Sequence, residues 1–425
     1  MNDAGPAKEV FMVQEYDLGN VRGAQGPPGP AGPQGPAGAV GPTPHITVGN
    51  TLSLPAGSAA TVSRREGSPD SAPIFDFGIP ASGGDMDAAT YDPNNRHQDI
   101  FTYVDISSGK RPATVVVAAA DSKDKQRADY KCSGSGDQLV LKTAINSLPA
   151  NGGKVVLLDG TYYLDTNSIT AEGNDYRLLH IVIPNVTIEG MGSSTVLKLD
   201  DGVSSTGNSY YCFWASAAGF RLRNLTIDGN EDNNSSGEVE GVHIHFQGEW
   251  SSVSGCMIRN CSYCGINIQA DGSSLCDNII SNCGDGLRLE GAVDDIHDNQ
   301  LTDNSGYAIY ANGGSHRIHD NYLCDNGAAG IYCQATSNDL IYNNYLVGQP
   351  VGISLTNASY CNIRNNFIRR QLSSDSYGSN EYSLYLNGCS SLFVLGNRIP
   401  GKALNTTSCS NITKYFSGTD WNING

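Results

Sequence analysis

Five residues in two short stretches carry side chains suited to attack on a glycosidic bond: Glu240 and His243 in "EVEGVHIHF", and Asp285, Arg288 and Glu290 in "GDGLRLE". Hydrolysis of such a bond needs two carboxyl groups about 5 to 9.5 Å apart, one to protonate the leaving oxygen and one to act as nucleophile or base. Strands of a sheet stand about 4.8 Å apart, so carboxylates one or two strands apart on one face meet that requirement. Glu240 and Asp285 each precede a glycine, Gly241 and Gly286, and those glycines hold equivalent places two repeats apart. Asp285, Glu290, Glu240, His243 and Arg288 are therefore the catalytic candidates, with the acidic insertion "NEDNNSSGEVE" from Asn230 placed to overhang them. Solvated charges at turns would give the same pattern. A lyase would instead need a base beside a uronate α-proton and a cation held by several carboxylates. Asp294, Asp295 and Asp298 cluster at a turn, but their number and order match no known cation loop.

The residues are placed by a repeat. Asn278, Asn299, Asn321, Asn344, Asn366 and Asn397 open successive units at spacings of 21, 22, 23, 22 and 31. A second marker keeps step at Gly265, Gly286, Ala308, Gly330 and Gly352. Two ladders in phase mean one coil of about 22 residues per repeat. Runs such as "GINIQ", "GLRLE", "GISLT" and "SLYLN" set apolar residues two apart, so each is a strand with one face buried. The expected fold is all-β, a right-handed parallel β-helix, with asparagines stacked at an inner turn and glycine where the turn needs special dihedrals.

Aligning these strands puts Val242, Ile266, Leu287, Ile309, Ile331, Ile353 and Leu384 inside. One outward column then runs His243, Asn267, Arg288, Tyr310, Tyr332, Ser354, Tyr385, and the next runs His245, Gln269, Glu290, Asn312, Gln334, Thr356, Asn387. Sugars lay their apolar ring faces on aromatics and pair their hydroxyls with amides, arginine and carboxylates. Asn267, Gln269, Tyr310, Asn312, Tyr332, Gln334, Tyr385 and Asn387 are accordingly the glycan-binding candidates; the same face would also serve as an interface between chains. His297 and His319 share another outward column one coil apart and read as surface residues.

Upstream, "PNVTIEG", "RNLTIDG" and "GCMIRN" fit the same solenoid, and Leu139, Leu141, Ala144, Ile145 and Leu148 recur at helical spacing after Asp137, a helix suited to cap the open end. Residues 23–43 hold seven glycines in strict period three, from Gly23 to Gly41, as a triple helix requires. The expected organisation is an attachment segment at 1–22, a collagen-like stalk at 23–43, a small β module at 44–84, a connector at 85–136 and the β-helix with its capping helix at 137–425. A net charge of −17 opposes nucleic acid and anionic membrane surfaces as partners. No apolar run suits a membrane span or a signal peptide. The twelve cysteines, scattered singly, read mostly as small buried residues; Cys261, Cys264 and Cys283 lack a fourth ligand for a closed zinc site, and no metal or cofactor is expected.

The run "ADYKCSGSGDQLVLKTAINSLPANGGKVVLLDGTYYL" resembles the cap and first coil of pectate-lyase-like β-helix proteins of phages and prophages. "AATYDPNNRHQDIFTYVD" and the collagen-plus-"LPAGSAATVS…FDFGIPASG" arrangement are similar to segments of phage tail fibres and tail spikes. The resemblance implies a homotrimeric virion protein, made in the host cytoplasm without a signal peptide, fixed to the tail or baseplate at its amino end and recognising a host cell-surface polysaccharide through the β-helix. Alternatives are a depolymerase on the same scaffold, hydrolase or lyase, and a bacterial surface adhesin. The motifs of β-helix polygalacturonases are missing; "GDGLRLE" only faintly echoes one.

The period-three glycines make trimerisation the first expected outcome. Light scattering on the full chain should return three times the 45.0 kDa chain mass, and a monomer mass would refute it.

Overall fold

The computed structural model describes residues 46–55, 58–80, 113–369, 382–399 and 404–415. The stretches expected as attachment segment and collagen-like stalk lie outside the described residues. The chain divides into two compact units, Met1–Ile100 and Phe101–Gly425.

In the first unit, strands β1 (Thr47–Leu54), β2 (Thr61–Arg64) and β3 (Ile74–Pro80) form one sheet with β3 in the middle, parallel to β1 and antiparallel to β2. Asp76 ties it together, accepting from the Asn50 N–H at 2.5 Å and from Arg65 Nη2 at 2.6 Å.

The second unit is a parallel β-helix. Each coil contributes one strand to each of three sheets, here I, II and III in chain order, which contain 13, 9 and 10 described strands. One coil runs Asp295–His297 in sheet I, Gln300–Thr302 in sheet II and Ile309–Ala311 in sheet III. In the short strands of sheets I and II only the middle residue turns inward, such as Ile296 and Leu301. Sheet III strands send in two, with one outward side chain between them, as Ile309 and Ala311 flank Tyr310. As the alternation requires, Val242, Ile266, Leu287, Ile309, Ile331, Ile353 and Leu384 pair one above the next and are all fully buried.

The asparagine ladder sits at the sheet I to sheet II corner. Asn321 shows the pattern: its N–H and its Nδ2 both donate to Asn344 Oδ1, at 3.1 and 3.0 Å, while Nδ2 also reaches the carbonyls of Ile296 and His319. The same links run from Asn278 through Asn299, Asn344 and Asn366 to Asn397. Each ladder asparagine follows a left-handed residue: Asp277, Asp298, Asp320, Asn343 and Asn365 hold φ near 55°. Short polar side chains tolerate that region best after glycine.

The glycine marker has a different cause from the one expected. Gly265, Gly286, Gly330 and Gly352 are absent from the positive-φ residues; close approach is what excludes a side chain. A Cβ on Gly286 would lie 2.6 Å from both the Ala308 carbonyl oxygen and Leu301 Cδ2. Helix α1 (Gln138–Asn146) is the one α-helix among the described residues, and it packs over the first strands. Its inner face is rotated from the expectation. Leu139 is exposed, and Gln138 is buried in its place, donating to Asp165 Oδ1 at 2.6 Å and accepting from the Asp165 N–H at 3.1 Å. Sheet I already begins at Thr114–Ala118, inside the stretch read as a connector.

Because the ladder repeats coil by coil, removing residues 299–320 should leave a folded protein in which Asn321 takes the place of Asn299. Removing half that coil, 299–309, should abolish cooperative melting. Asn321→Ala leaves the buried Asn299 N–H without an acceptor, while Asn299 Nδ2 keeps the Leu275 and His297 carbonyls, and should cost about 1 to 3 kcal/mol by denaturant titration. Equal damage from the two deletions would contradict the coil assignment.

Candidate functional site

The outer face of sheet III brings the candidate residues together. Its register stacks His180, Trp214, His243, Asn267, Arg288, Tyr310, Tyr332, Ser354 and Tyr385 in one column. A neighbouring column, set off by the glycines, stacks Arg177, Tyr211, Glu240, Cys264 and Asp285. Glu240 and Asp285 therefore lie two coils apart on one face, as the sequence spacing requires.

Two clusters form. In the first, Glu240 Oε2 lies 2.8 Å from His243 Nδ1, and Asn267 Nδ2 donates to Glu240 Oε1 at 3.4 Å. Trp214 stacks flat on the His243 ring at 4.1 Å, Tyr211 meets both rings edge-on, and the Arg177 guanidinium lies 4.1 Å over Trp214. In the second, Arg288 Nη1 donates to Asp285 Oδ2 at 2.7 Å and Nη2 to Glu290 Oε1 at 3.4 Å. The Tyr307 N–H occupies the other Asp285 oxygen at 2.8 Å, and Gln269 Nε2 donates to Glu290 Oε2 at 3.2 Å. The Arg288 guanidinium spreads 4.3 Å over Tyr310 and 5.5 Å over Tyr263. Tyr307 stacks on Tyr332 at 4.9 Å, and Tyr310 Oη reaches Gln334 at 3.1 Å. Asn312, Gln334 and Glu290 are exposed, while Gln269, Tyr310, Tyr332, Tyr385 and Asn387 are half-buried.

Part of the expected open column is covered. His243, Asn267 and Ser354 point away from the coil axis yet are 3%, 4% and 6% exposed, and Glu240 is buried with them. For His243 the cover is Trp214 and Tyr211, from the preceding coil. Sequence reading missed these two because the strand "SYYCFWA" is apolar nearly throughout and shows no alternation to align, and Arg177 because its strand, Asp175–Ile181, lies before the aligned repeats. Five buried side-chain atoms on this face have no hydrogen-bond partner: Arg177 Nε, His243 Nε2, His245 Nδ1, Asn267 Oδ1 and Arg288 Nε.

The electrostatics follow from this crowding. Burial would lower the Arg288 guanidinium, but its hydrogen bond to Asp285 and the nearby Tyr263 outweigh that and hold it above its usual value. Burial raises the Tyr263 and Tyr307 hydroxyls. The His180 imidazole is lowered by burial and then by Arg177, and that of His245 by burial, His243 and Arg177.

On sheet I the His297 and His319 rings stack at 5.1 Å, with Tyr342 stacked next at 4.6 Å. The carboxylates the sequence reading did not place there are present: Asp295 Oδ1 is 3.1 Å from His319 Nε2, and Asp298 and Asp320 hold the Nδ1 atoms. Among the described residues no three His, Cys, Asp or Glu side chains gather so as to hold a metal ion. All twelve cysteines are free thiols, nine of them buried.

A family model described as periplasmic copper-binding protein (NosD) matches residues 167–351. The mannuronan C5-epimerase AlgE4 of Azotobacter vinelandii is 32% identical over 119 residues, 27% of this chain and 21% of that protein, so the chain spans about a fifth of that relative's length. Among solved structures, the A-module of the same bacterium's mannuronan C-5 epimerase AlgE4 superposes with a TM-score of 0.52 at 18% identity, covering 67% of this chain and 97% of the module. The Dettilon tailspike protein gives 0.45 at 16%, covering 70% of this chain and 64% of its own. At 18% identity the superposition of the epimerase module speaks for the fold alone.

A depressed histidine weakens the fold as pH falls. The His245 contribution is intact above its unfolded value of about 6.5 and is lost as pH drops through its lower folded value. Histidine-selective NMR should place the His245 midpoint below 6.5, and Arg177→Met should raise it; a midpoint at or above 6.5 in the parent protein would contradict the burial described here.

Proposed function

We propose that the chain recognises a host cell-surface polysaccharide along the outer face of sheet III, as the receptor-binding part of a homotrimeric phage or prophage tail spike or fibre with a right-handed β-helix and a collagen-like stalk. The observation that carries the binding reading is the face itself. Two guanidinium groups lie over aromatic rings, and the exposed amides of Asn312 and Gln334 with the half-buried Tyr310, Tyr332 and Tyr385 continue the surface. Aromatic platforms suit sugar ring faces, and the amides and guanidinium edges suit hydroxyl and carboxylate groups. The relative and the superposed module named for mannuronan epimerisation support a carbohydrate polymer as ligand. The period-three glycines support the stalk and the trimer.

Depolymerisation of the same ligand is the second reading, favoured by the Glu240 and His243 pair. Glu240 holds His243 Nδ1 at 2.8 Å, the contact by which a carboxylate orients a histidine general base. Asp285, by contrast, has both oxygens engaged, which suits it to orienting Arg288 better than to the paired-carboxylate role expected from its spacing.

On immobilised envelope polysaccharide from a susceptible host, Tyr310→Ala and Tyr332→Ala should each weaken binding by about 1 to 2 kcal/mol, since each removes one stacking platform. Arg288→Ala should weaken it at least as much, while Tyr360→Ala, exposed and on another face, should change nothing. Incubation of the same polysaccharide with the trimer tests the second reading. Release of oligosaccharides that His243→Gln abolishes would establish it, and new absorbance from unsaturated uronates would identify a lyase. Neither binding nor cleavage on any envelope fraction would refute both.

A further inference from the structure

The sheet III face has two chemically distinct halves. Its first five strands carry four carboxylates, Asp175, Glu238, Glu240 and Asp285, against two guanidinium groups, Arg177 and Arg288. Its last five strands, which read IYA, AGIYCQ, VGISLT, YSLYLN and LNTT, contain no Asp, Glu, Lys, Arg or His. Over that second half one outward column runs from Tyr310 to Asn405 as tyrosine, tyrosine, serine, tyrosine and asparagine. The column beside it runs from Gln334 to Thr407 as glutamine, threonine, asparagine and threonine. The other faces differ over the same coils. Sheet I turns Asp295, Arg317 and Arg364 outward, and sheet II carries a ring stack of Tyr322, Tyr345 and Phe367 and ends that last strand on Arg369. The exposed Asp303 and Asp325, at the turns from sheet II toward this half, are acidic. The two guanidinium groups of the first half are already paired. Arg177 Nη1 lies 2.6 Å from Glu172 Oε2, and Arg288 holds Asp285 at 2.7 Å and Glu290 at 3.4 Å.

We infer that the polysaccharide this face takes is uncharged, a polymer of neutral or N-acetylated sugars without uronate, phosphate or sulfate groups. The inference rests on the glycan-recognition reading proposed above and names the class of its ligand. An anionic chain laid along the second half would bring its charges against tyrosines, amides and hydroxyls, with no cation in those five strands to pair them. A charge taken from water without a partner is strongly disfavoured. To reach a cation the ligand would have to displace Asp285 or Glu290 from Arg288, and Asp285 is further held by the Tyr307 N–H at 2.8 Å. The net charge of −17 adds repulsion at longer range. A neutral sugar meets none of these obstacles. Its hydroxyl and acetamido groups donate and accept, as do the hydroxyls and amides of the two columns, and its ring faces can lie on Tyr310 and Tyr332.

The test separates envelope polysaccharide of a susceptible host by anion exchange into an uncharged and an anionic fraction, immobilises each, and titrates the full chain over both. The expected result is half-saturation on the uncharged fraction at a concentration at least about tenfold lower than on the anionic one, because like charges brought together across an interface are disfavoured. Tyr332→Ala should raise the concentration needed on the uncharged fraction by about five- to thirtyfold. Binding to the anionic fraction alone, or to both fractions alike, that Tyr332→Ala weakens overturns the uncharged class and leaves sheet III standing as the glycan face. Binding that Tyr310→Ala and Tyr332→Ala both leave unchanged, or no binding to either fraction, overturns the glycan face and this inference with it.

Discussion

The structure depends on a column of buried amides. A β-helix has no sequence-local turn to fix how one coil sits on the next, and a slip of one residue would send every inward side chain outward. Asn278, Asn299, Asn321, Asn344 and Asn366 prevent it, because each must meet the Oδ1 of the next, the last being Asn397, from both its backbone N–H and its side-chain amide. A slipped coil would leave those donors buried and unpaired, at about 1 to 3 kcal/mol for each group. The left-handed aspartates and asparagines just before the ladder turn the chain sharply enough for the next strand to begin at once.

Fixed register is what makes function possible on such a scaffold. Once every coil is in step, residues about 22 apart in the chain become neighbours about 4.8 Å apart in space. Glu240 and Asp285, or Tyr310 and Tyr332, thereby share a surface without any local sequence motif. The same register sorts the exterior into three strips of different chemistry: charged on sheet I, a stack of rings bordered by aspartates on sheet II, aromatic and amide-rich with two guanidinium groups on sheet III. Each strip is a continuous one-dimensional array, a shape that suits an extended polymer or a second solenoid.

The coils from Gly241 onward were legible because two markers, asparagine and glycine, repeat in phase with a clean alternation between them. That was enough to place the inward column from Val242 to Leu384 and the outward one from His243 to Tyr385. The reason for the glycines was not legible, since close packing against the next coil and an unusual dihedral leave the same mark in a sequence. The inner face of α1 was misread by one residue because Gln138 is held inside by Asp165, and a buried polar pair breaks the apolar spacing on which the reading relied. On the sheet III face the register of the outward column was legible but not its cover. Trp214 and Tyr211 come from a strand buried along nearly its whole length, where no alternation tells inward from outward, so the enclosure of His243 emerged only from the packing.

The central claim is that sheet III, and not its two neighbours, is the ligand face. Hydroxyl-radical footprinting of the full chain with and without host envelope polysaccharide tests it directly, because tyrosines sit on all three strips and report separately. The account predicts protection of Tyr310, Tyr332 and Tyr385 by the polysaccharide, with Tyr342 on sheet I and Tyr322 and Tyr345 on sheet II unchanged by it. Protection confined to sheet I or sheet II, with the sheet III tyrosines reacting as before, would contradict it.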